Sequence, residues 1–352
     1  MAEYEKARQT VLTLMPDSHL GNLIVALPAV MSLERHFQHD DHYLVFDSAF
    51  REIVEPLIEP SRTLFYPRKM ANEGSIIARM FVYFKFLRQI KKLHPDITID
   101  LEGGATSSIL TQVSRAGRSF SRSNAERPDV YTDRVVLPQG KHKAYHYKAI
   151  AEATGASGDE SFFCLQATDD NRLLVEKKLS DAGINPREPM ICIHPGGSRN
   201  QKLWPLECFV EVADWFARHG RQVVLIGGER EKKAASRIMA SLDRPVTNFA
   251  GTSGLGELLA LFGKNSIFVG SDSGLMHMAA AAGSAVAALF SYEDEIEWGP
   301  RCARAVVLRG RERCPDCNKK DCADPRCINT LSPDVVKHAV AAFLEPYSQN
   351  SK

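Results

Sequence analysis

Short apolar runs alternate with helical segments along nearly the whole of this 352-residue chain, and that alternation limits the fold more than any other feature. TVLTLM at 10–15, YLVF at 43–46 and DITIDL at 96–101 have the length and composition of strands. Helical spacing follows at 22–37, with an early Pro28, at 49–58 and, before the third strand, at 75–93. The pattern then restarts. MICIHPGGS, QVVLIGG and SIFVG read as strands running into turns, with helices expected at 170–182, at 205–219 and from Glu229. Strands that alternate with helices form a parallel sheet covered on both faces, so the fold class is α/β and doubly wound. The length calls for two domains. The expected division is a first lobe at 1–170, a Pro-bearing linker at 171–188 and a second lobe at 189–330, with a cleft between the lobes. A C-terminal helix at 331–352 is free to pack back on the first lobe.

Four strand ends in the second half finish in small, polar or charged residues. They are His194-Pro195-Gly196-Gly197-Ser198, Gly227-Gly228-Glu229, Ala250-Gly251-Thr252-Ser253 and Ser271-Asp272-Ser273-Gly274. In a parallel sheet such ends share one rim. Glycines there let a phosphate approach the backbone, and hydroxyls add donors. Lys202 is placed to neutralise a diphosphate, and Glu229, just beyond a strand, to take ribose hydroxyls. Each part has a plainer use: Glu229 also suits a helix N-terminus, Asp272 can cap the helix behind it, and His277 can be a packing histidine. Four such turns on one rim favour a nucleotide-diphosphate site.

The second half resembles glycosyltransferase family 9, the heptosyltransferases of the lipopolysaccharide inner core. The matching text is HPGGSRNQKLWPLECFVEVADWF, VVLIGGEREKK, NFAGTSGLGELLALF, SDSGLMHMAAAAGSAVAALF, WGP and the Cys-rich segment that follows. LGNLIVALPAVMSLERHF and DITIDLEGGATSSILTQVSRAGRSFS match more loosely in the first half. The resemblance implies a GT-B fold of two Rossmann-like lobes. It also implies inverting transfer from a nucleotide sugar, ADP-heptose above all, without a catalytic metal or other cofactor. His194, Gly197, Ser198, Lys202, Glu229, Asp272, Ser273, Gly274 and His277 are the implied donor-binding set, with Lys202 also on the transferred sugar.

One departure bears on catalysis. Inverting transfer needs a base for the acceptor hydroxyl's proton, and in this family it is the Asp of a Gly-Asp pair at the first strand-to-helix turn. Here the pair is Gly21-Asn22, and a neutral amide has no useful basicity. Asp17 or His19 in the loop PDSHLGN can replace it. Otherwise the chain transfers slowly, or it is a nucleotide-sugar-binding protein that kept the fold and lost the reaction.

The rest of the chain narrows the setting. The net charge of +1 gives no reason to expect nucleic acid as a partner. The start MAEYEKARQT lacks a secretory pattern, no apolar run reaches a membrane span, and eight cysteines suit a reducing compartment, so a cytoplasmic protein is expected. Cys314, Cys317, Cys322 and Cys327 could hold a structural zinc, although the last two spacings are not those of a paired knuckle. ARMFVYFKFLRQIKKL at 78–93 mixes Phe81, Tyr83, Phe84 and Phe86 with Arg79, Lys85, Arg88, Lys91 and Lys92. It reads either as a core helix with a solvated basic side or as a peripheral contact with the cytoplasmic face of the inner membrane. A phosphorylated, lipid-linked core oligosaccharide is the acceptor the resemblance implies, with Arg79, Arg115, Arg118 and Arg122 as candidates to meet it.

Overall fold

A computed structural model describes residues 8–68, 75–157, 163–197, 199–244, 246–312, 314, 317 and 322–348. The chain divides into two compact units, 1–161 and 162–352. In the first, β1 (Thr10–Met15), β2 (Asp41–Asp47), β3 (Thr63–Tyr66), β4 (Ile97–Asp100), β5 (Arg118–Arg122) and β6 (Asp133–Val135) form a parallel sheet. Its order is β3-β2-β1-β4-β5-β6. In the second, β7 (Met190–His194), β8 (Gln222–Leu225), β9 (Thr247–Asn248), β10 (Ser266–Ser271), β11 (Ala285–Leu289) and β12 (Ala305–Leu308) are also parallel, in the order β12-β11-β10-β7-β8-β9. Numbered within its own unit, each sheet runs 3-2-1-4-5-6, the Rossmann order. The strand order reverses between the first and fourth strands, and ligands bind outside the carboxyl ends of the strands at that switch point. β1 and β4 flank it in one unit, β7 and β10 in the other.

Apolar periodicity explains the layers. In the helix Leu206–Arg218, Phe209, Val212, Ala213, Phe216 and Ala217 recur at helical spacing and face the second sheet's Ile191, Ile193, Val223 and Leu225. Burying each of its two phenylalanines contributes about 1.5–3 kcal/mol. Trp204 donates its indole N–H to the Leu331 carbonyl at 3.0 Å, which fixes the chain ahead of that helix. In the first unit Leu12, Leu14 and Val45 of the sheet meet Phe86, Ile90 and Leu110 of two covering helices.

Two boundaries differ from expectation. The units divide at 161/162, ahead of the segment read as a linker. Most of that segment is the helix expected at 170–182, which runs Asp169–Asp181 and is started by Thr168, which accepts from the Asn171 N–H, and by two acidic residues in its first turn. Its Lys178 meets Glu257 of the same unit at 2.7 Å. The C-terminal helix Pro333–Ser348 places Val336, Val340 and Leu344 in the second unit's core.

Candidate functional site

The switch point of the second unit gathers a buried ionic cluster. β7 ends in His194, and the chain then turns through Pro195, Gly196 and Gly197 to a short 3₁₀ turn, Asn200–Lys202. β10 ends in Ser271, followed by Asp272 and by Ser273, which caps the helix Gly274–Ala281 by accepting from the Met276 N–H at 3.4 Å. Lys202 and Asp272 lie 70 residues apart in sequence, yet Lys202 Nζ reaches Asp272 Oδ2 at 2.6 Å and Glu293 Oε1 at 3.3 Å. Burial pulls the ammonium down, but the two carboxylates outweigh it and hold Lys202 above the usual lysine range. His194 and His277 are buried beside this cluster, and burial drives both imidazoles down to about 4; Lys202 adds to the effect on His277. Both are therefore neutral hydrogen-bonding groups at physiological pH. His194 Nδ1 is 3.5 Å from Ser273 Oγ, and His277 meets Trp298 edge-on.

Two acidic residues lie among the Gly-rich turns: a Cβ at Gly251 would lie 3.1 Å from Glu229 Oε2, and Glu231 covers Gly196 and Gly227. Glu229 is exposed and pairs with Lys232 at 3.4 Å. Two residues on, Glu231 accepts the Gly228 N–H at 2.8 Å, and its side chain fills the space over two glycines. A Cβ at Gly196 would lie 2.5 Å from Glu231 Cγ, and one at Gly227, where φ is +149°, 2.5 Å from Glu231 Cβ. Gly197 is less confined, since its Cβ would meet Leu203 at 3.2 Å. Ser198 lies outside the described residues.

Glu293 too escaped sequence reading. It sits in the loop after β11, an alanine-rich strand that looks helical in sequence. Arg309 anchors that loop through the carbonyls of Ser291 and Glu293, both at 2.6 Å, and through the Glu295 carboxylate at 2.7 Å. The hydroxyls of Ser271 and Ser291, at the ends of β10 and β11, are buried and have no partner among the described residues.

In the first unit the loop after β1 forms a second constellation. Asp17 Oδ1 accepts the His19 backbone N–H at 2.7 Å and lies 2.8 Å from His19 Nδ1, while Oδ2 accepts the Asn22 amide at 2.6 Å. Burial tends to raise the Asp17 carboxyl, but the His19 and Asn22 hydrogen bonds prevail and hold it below the usual carboxylate range. The bond to Asp17 raises His19, whose side chain is 71% exposed. Sequence reasoning missed Glu102, beyond β4 on the same rim: burial and the neighbouring Asp100 and Asp17 push its carboxyl up to about 8. The N-lobe arginines part ways. Arg118 pairs with Asp133 at 2.9 Å, and Arg122 donates to the Glu102 and Gly103 carbonyls. Arg115, at φ +56°, ends the helix Ala105–Ser114, and Arg79 is exposed on the helix Ile76–Leu93.

The four clustered cysteines line one cavity of about 400 Å³ with Arg309 and Glu293. Burial, with a smaller effect of the other three cysteines, raises the Cys327 thiol. Among the described residues, however, no group of three or more His, Cys, Asp or Glu is placed to hold a metal ion.

Two parallel α/β units of Rossmann order, with small-residue turns at both switch points, define a GT-B-type scaffold. The sequence model of glycosyltransferase family 9 (heptosyltransferase) matches residues 83–327, and the chain belongs to that family of glycosyltransferases. Lipopolysaccharide core heptosyltransferase OpsX of Haemophilus influenzae is 23% identical over 290 residues, covering 80% of this chain and 79% of the relative. A glycosyltransferase family 9 structure from Veillonella parvula superposes with TM-score 0.84 at 22% identity, covering 98% of this chain and 100% of the other. The E. coli heptosyltransferase WaaC, solved with ADP, superposes with TM-score 0.73 at 16% identity, over 95% and 99% of the two chains.

Proposed function

We propose that the protein transfers heptose from ADP-heptose to a lipopolysaccharide inner-core acceptor, with inversion at the anomeric carbon. The observation that carries this reading is the buried Lys202–Asp272–Glu293 cluster at the second unit's switch point, in a chain of this family. Glu231, held over Gly196 and Gly227, takes the ribose hydroxyls, the role sequence alone gave to Glu229. The backbone N–H groups of the turn after β7 and at the start of the helix Gly274–Ala281 face the diphosphate. Lys202, already committed to two carboxylates, positions them toward the sugar's hydroxyls while its charge offsets that of the departing ADP.

The first unit supplies the proton acceptor. Asp17 is a poor base because both its oxygens are engaged. His19, with a proton on Nδ1 toward Asp17, presents Nε2 to the acceptor hydroxyl, an arrangement in which the carboxylate orients the imidazole. Asn22 then has a role of its own: its amide holds Asp17 Oδ2 in place. The acceptor oxygen forms the new bond to the anomeric carbon, the bond to the diphosphate breaks with its electron pair on ADP, and His19 takes the proton.

Calorimetric titration tests the donor assignment. Wild type should bind ADP, and Glu231→Ala should bind it about ten- to hundredfold more weakly with an unchanged melting temperature. Absence of ADP binding to wild type would remove the donor reading, and full affinity in Glu231→Ala would remove the ribose assignment.

A further inference from the structure

The helix Ile76–Leu93 is held in the first unit by its second half. Phe86 and Ile90 are buried, Phe86 meets Tyr66 edge-on, and Tyr83, Leu87 and Leu93 pack around them. Its first six residues, 76–81, are all exposed. Ile76 is 72% exposed, Ile77 82%, Met80 51%, Phe81 70% and Phe84 57%. Eleven large apolar side chains are exposed among the described residues, and five of them fall on these nine positions. Isolated apolar residues at a surface need no explanation, but a contiguous set does. The helix start is well formed, since Ser75 Oγ accepts the Ala78 N–H at 3.3 Å.

Charge completes the pattern. The 18 residues contain no Asp or Glu. At roughly 100° per residue, Met80, Phe84, Ile77 and Phe81 span about 100° of arc away from the buried face. Lys91, Arg88, Lys92 and Lys85 occupy nearly the same arc in the following two turns. None of these four cations has an ion pair or hydrogen bond among the described residues. The exposed stripe is therefore apolar over the first two to three turns and basic beyond them. A protein partner matched to this stripe would need acids along only half of it. A phospholipid surface offers both environments in that order, with acyl chains below and phosphates above. The helix does not span: no described helix is long and apolar enough to cross a membrane.

We propose that the exposed face of the helix Ile76–Leu93 docks on an anionic phospholipid bilayer, Ile77, Met80, Phe81 and Phe84 entering the interface while Lys85, Arg88, Lys91 and Lys92 meet phosphates. The physiological sense of this contact rests on the lipid-linked acceptor proposed above; the contact itself does not.

Co-sedimentation of the full chain with vesicles tests it. Wild type should pellet with phosphatidylethanolamine–phosphatidylglycerol vesicles and about tenfold less with phosphatidylcholine alone, and the difference should fade in high salt. Phe81→Ser/Phe84→Ser should lose about tenfold or more in vesicle affinity, and Lys91→Glu/Lys92→Glu should lose the preference for anionic lipid. All four side chains are exposed, so melting temperatures should not move. Wild type left in the supernatant with anionic vesicles would overturn the proposal, as would an apolar variant that pellets like wild type. So would an apolar variant that merely turns a dimer into a monomer, which would give the face to a second copy. Turnover on a delipidated acceptor separates the two proposals: Phe81→Ser/Phe84→Ser should match wild type there, and inactive wild type would count against the transferase reading alone.

Discussion

At the residue scale, the two buried histidines of the donor cluster make stability depend on pH with a definite sign. His194 and His277 titrate near 4 in the folded chain, against about 6.5 when unfolded. Between those values the unfolded chain binds more protons, so stability rises with pH across that window and levels off above it. Acidification from about 6.5 to 4 should therefore destabilise the second unit, on the order of 3 kcal/mol for each histidine. Melting temperatures recorded from pH 7.5 to pH 4.5 (roughly the span of both values) check this. The double variant His194→Gln/His277→Gln should flatten the slope; an unchanged slope would mean that the histidines are solvated.

At the scale of elements, glycines shape the turns proposed to hold the donor. Gly196→Ala would put a methyl group into the space that Glu231 occupies, and the flexible side chain would yield before the backbone. ADP affinity should fall about tenfold or more with little change in melting temperature, as read by titration and thermal unfolding. Unaltered affinity would show that the Glu231 carboxylate is not where the ribose binds. The turns after β7, β8 and β10 were legible in the sequence because an apolar β-branched run ending in Gly or Ser marks a strand-to-helix junction by itself. The role proposed for Glu231 was not, because choosing between two glutamates two positions apart requires the backbone path through Gly227 and Gly228. Glu293 was hidden by β11, whose AVAAL reads as helix former; there, burial on both faces of a central strand overrides propensity. Pairing of Lys202 with Asp272 follows from the β7–β10 neighbourship, which strand order alone provides. Helix positions were read to within about two residues where the apolar stripe was strong, as at 205–219. The stretch 49–58 yielded only a 3₁₀ turn and the helix Arg51–Val54.

At the scale of the whole molecule, the two units divide the labour. In the function proposed above, the strand ends of the second serve as the nucleotide-sugar cradle; the first carries an Asp17–His19–Asn22 constellation where the family resemblance placed a lone aspartate, together with a helix face proposed to meet a lipid surface. His19 is the proposed base and is raised above its ordinary value of 6.5, so it must lose its proton before it can act. kcat/KM should accordingly rise with pH through that raised value. The most direct test is turnover of ADP-heptose on a heptose-deficient core acceptor, followed by product mass in wild type, His19→Ala and Asn22→Asp. Wild type should turn over, His19→Ala should lose about 10²–10⁴-fold with unchanged ADP affinity, and what activity remains should show no acidic limb. Wild type that binds ADP yet never turns over, with activity appearing only in Asn22→Asp, would contradict the proposed transfer and make the chain a nucleotide-sugar-binding protein.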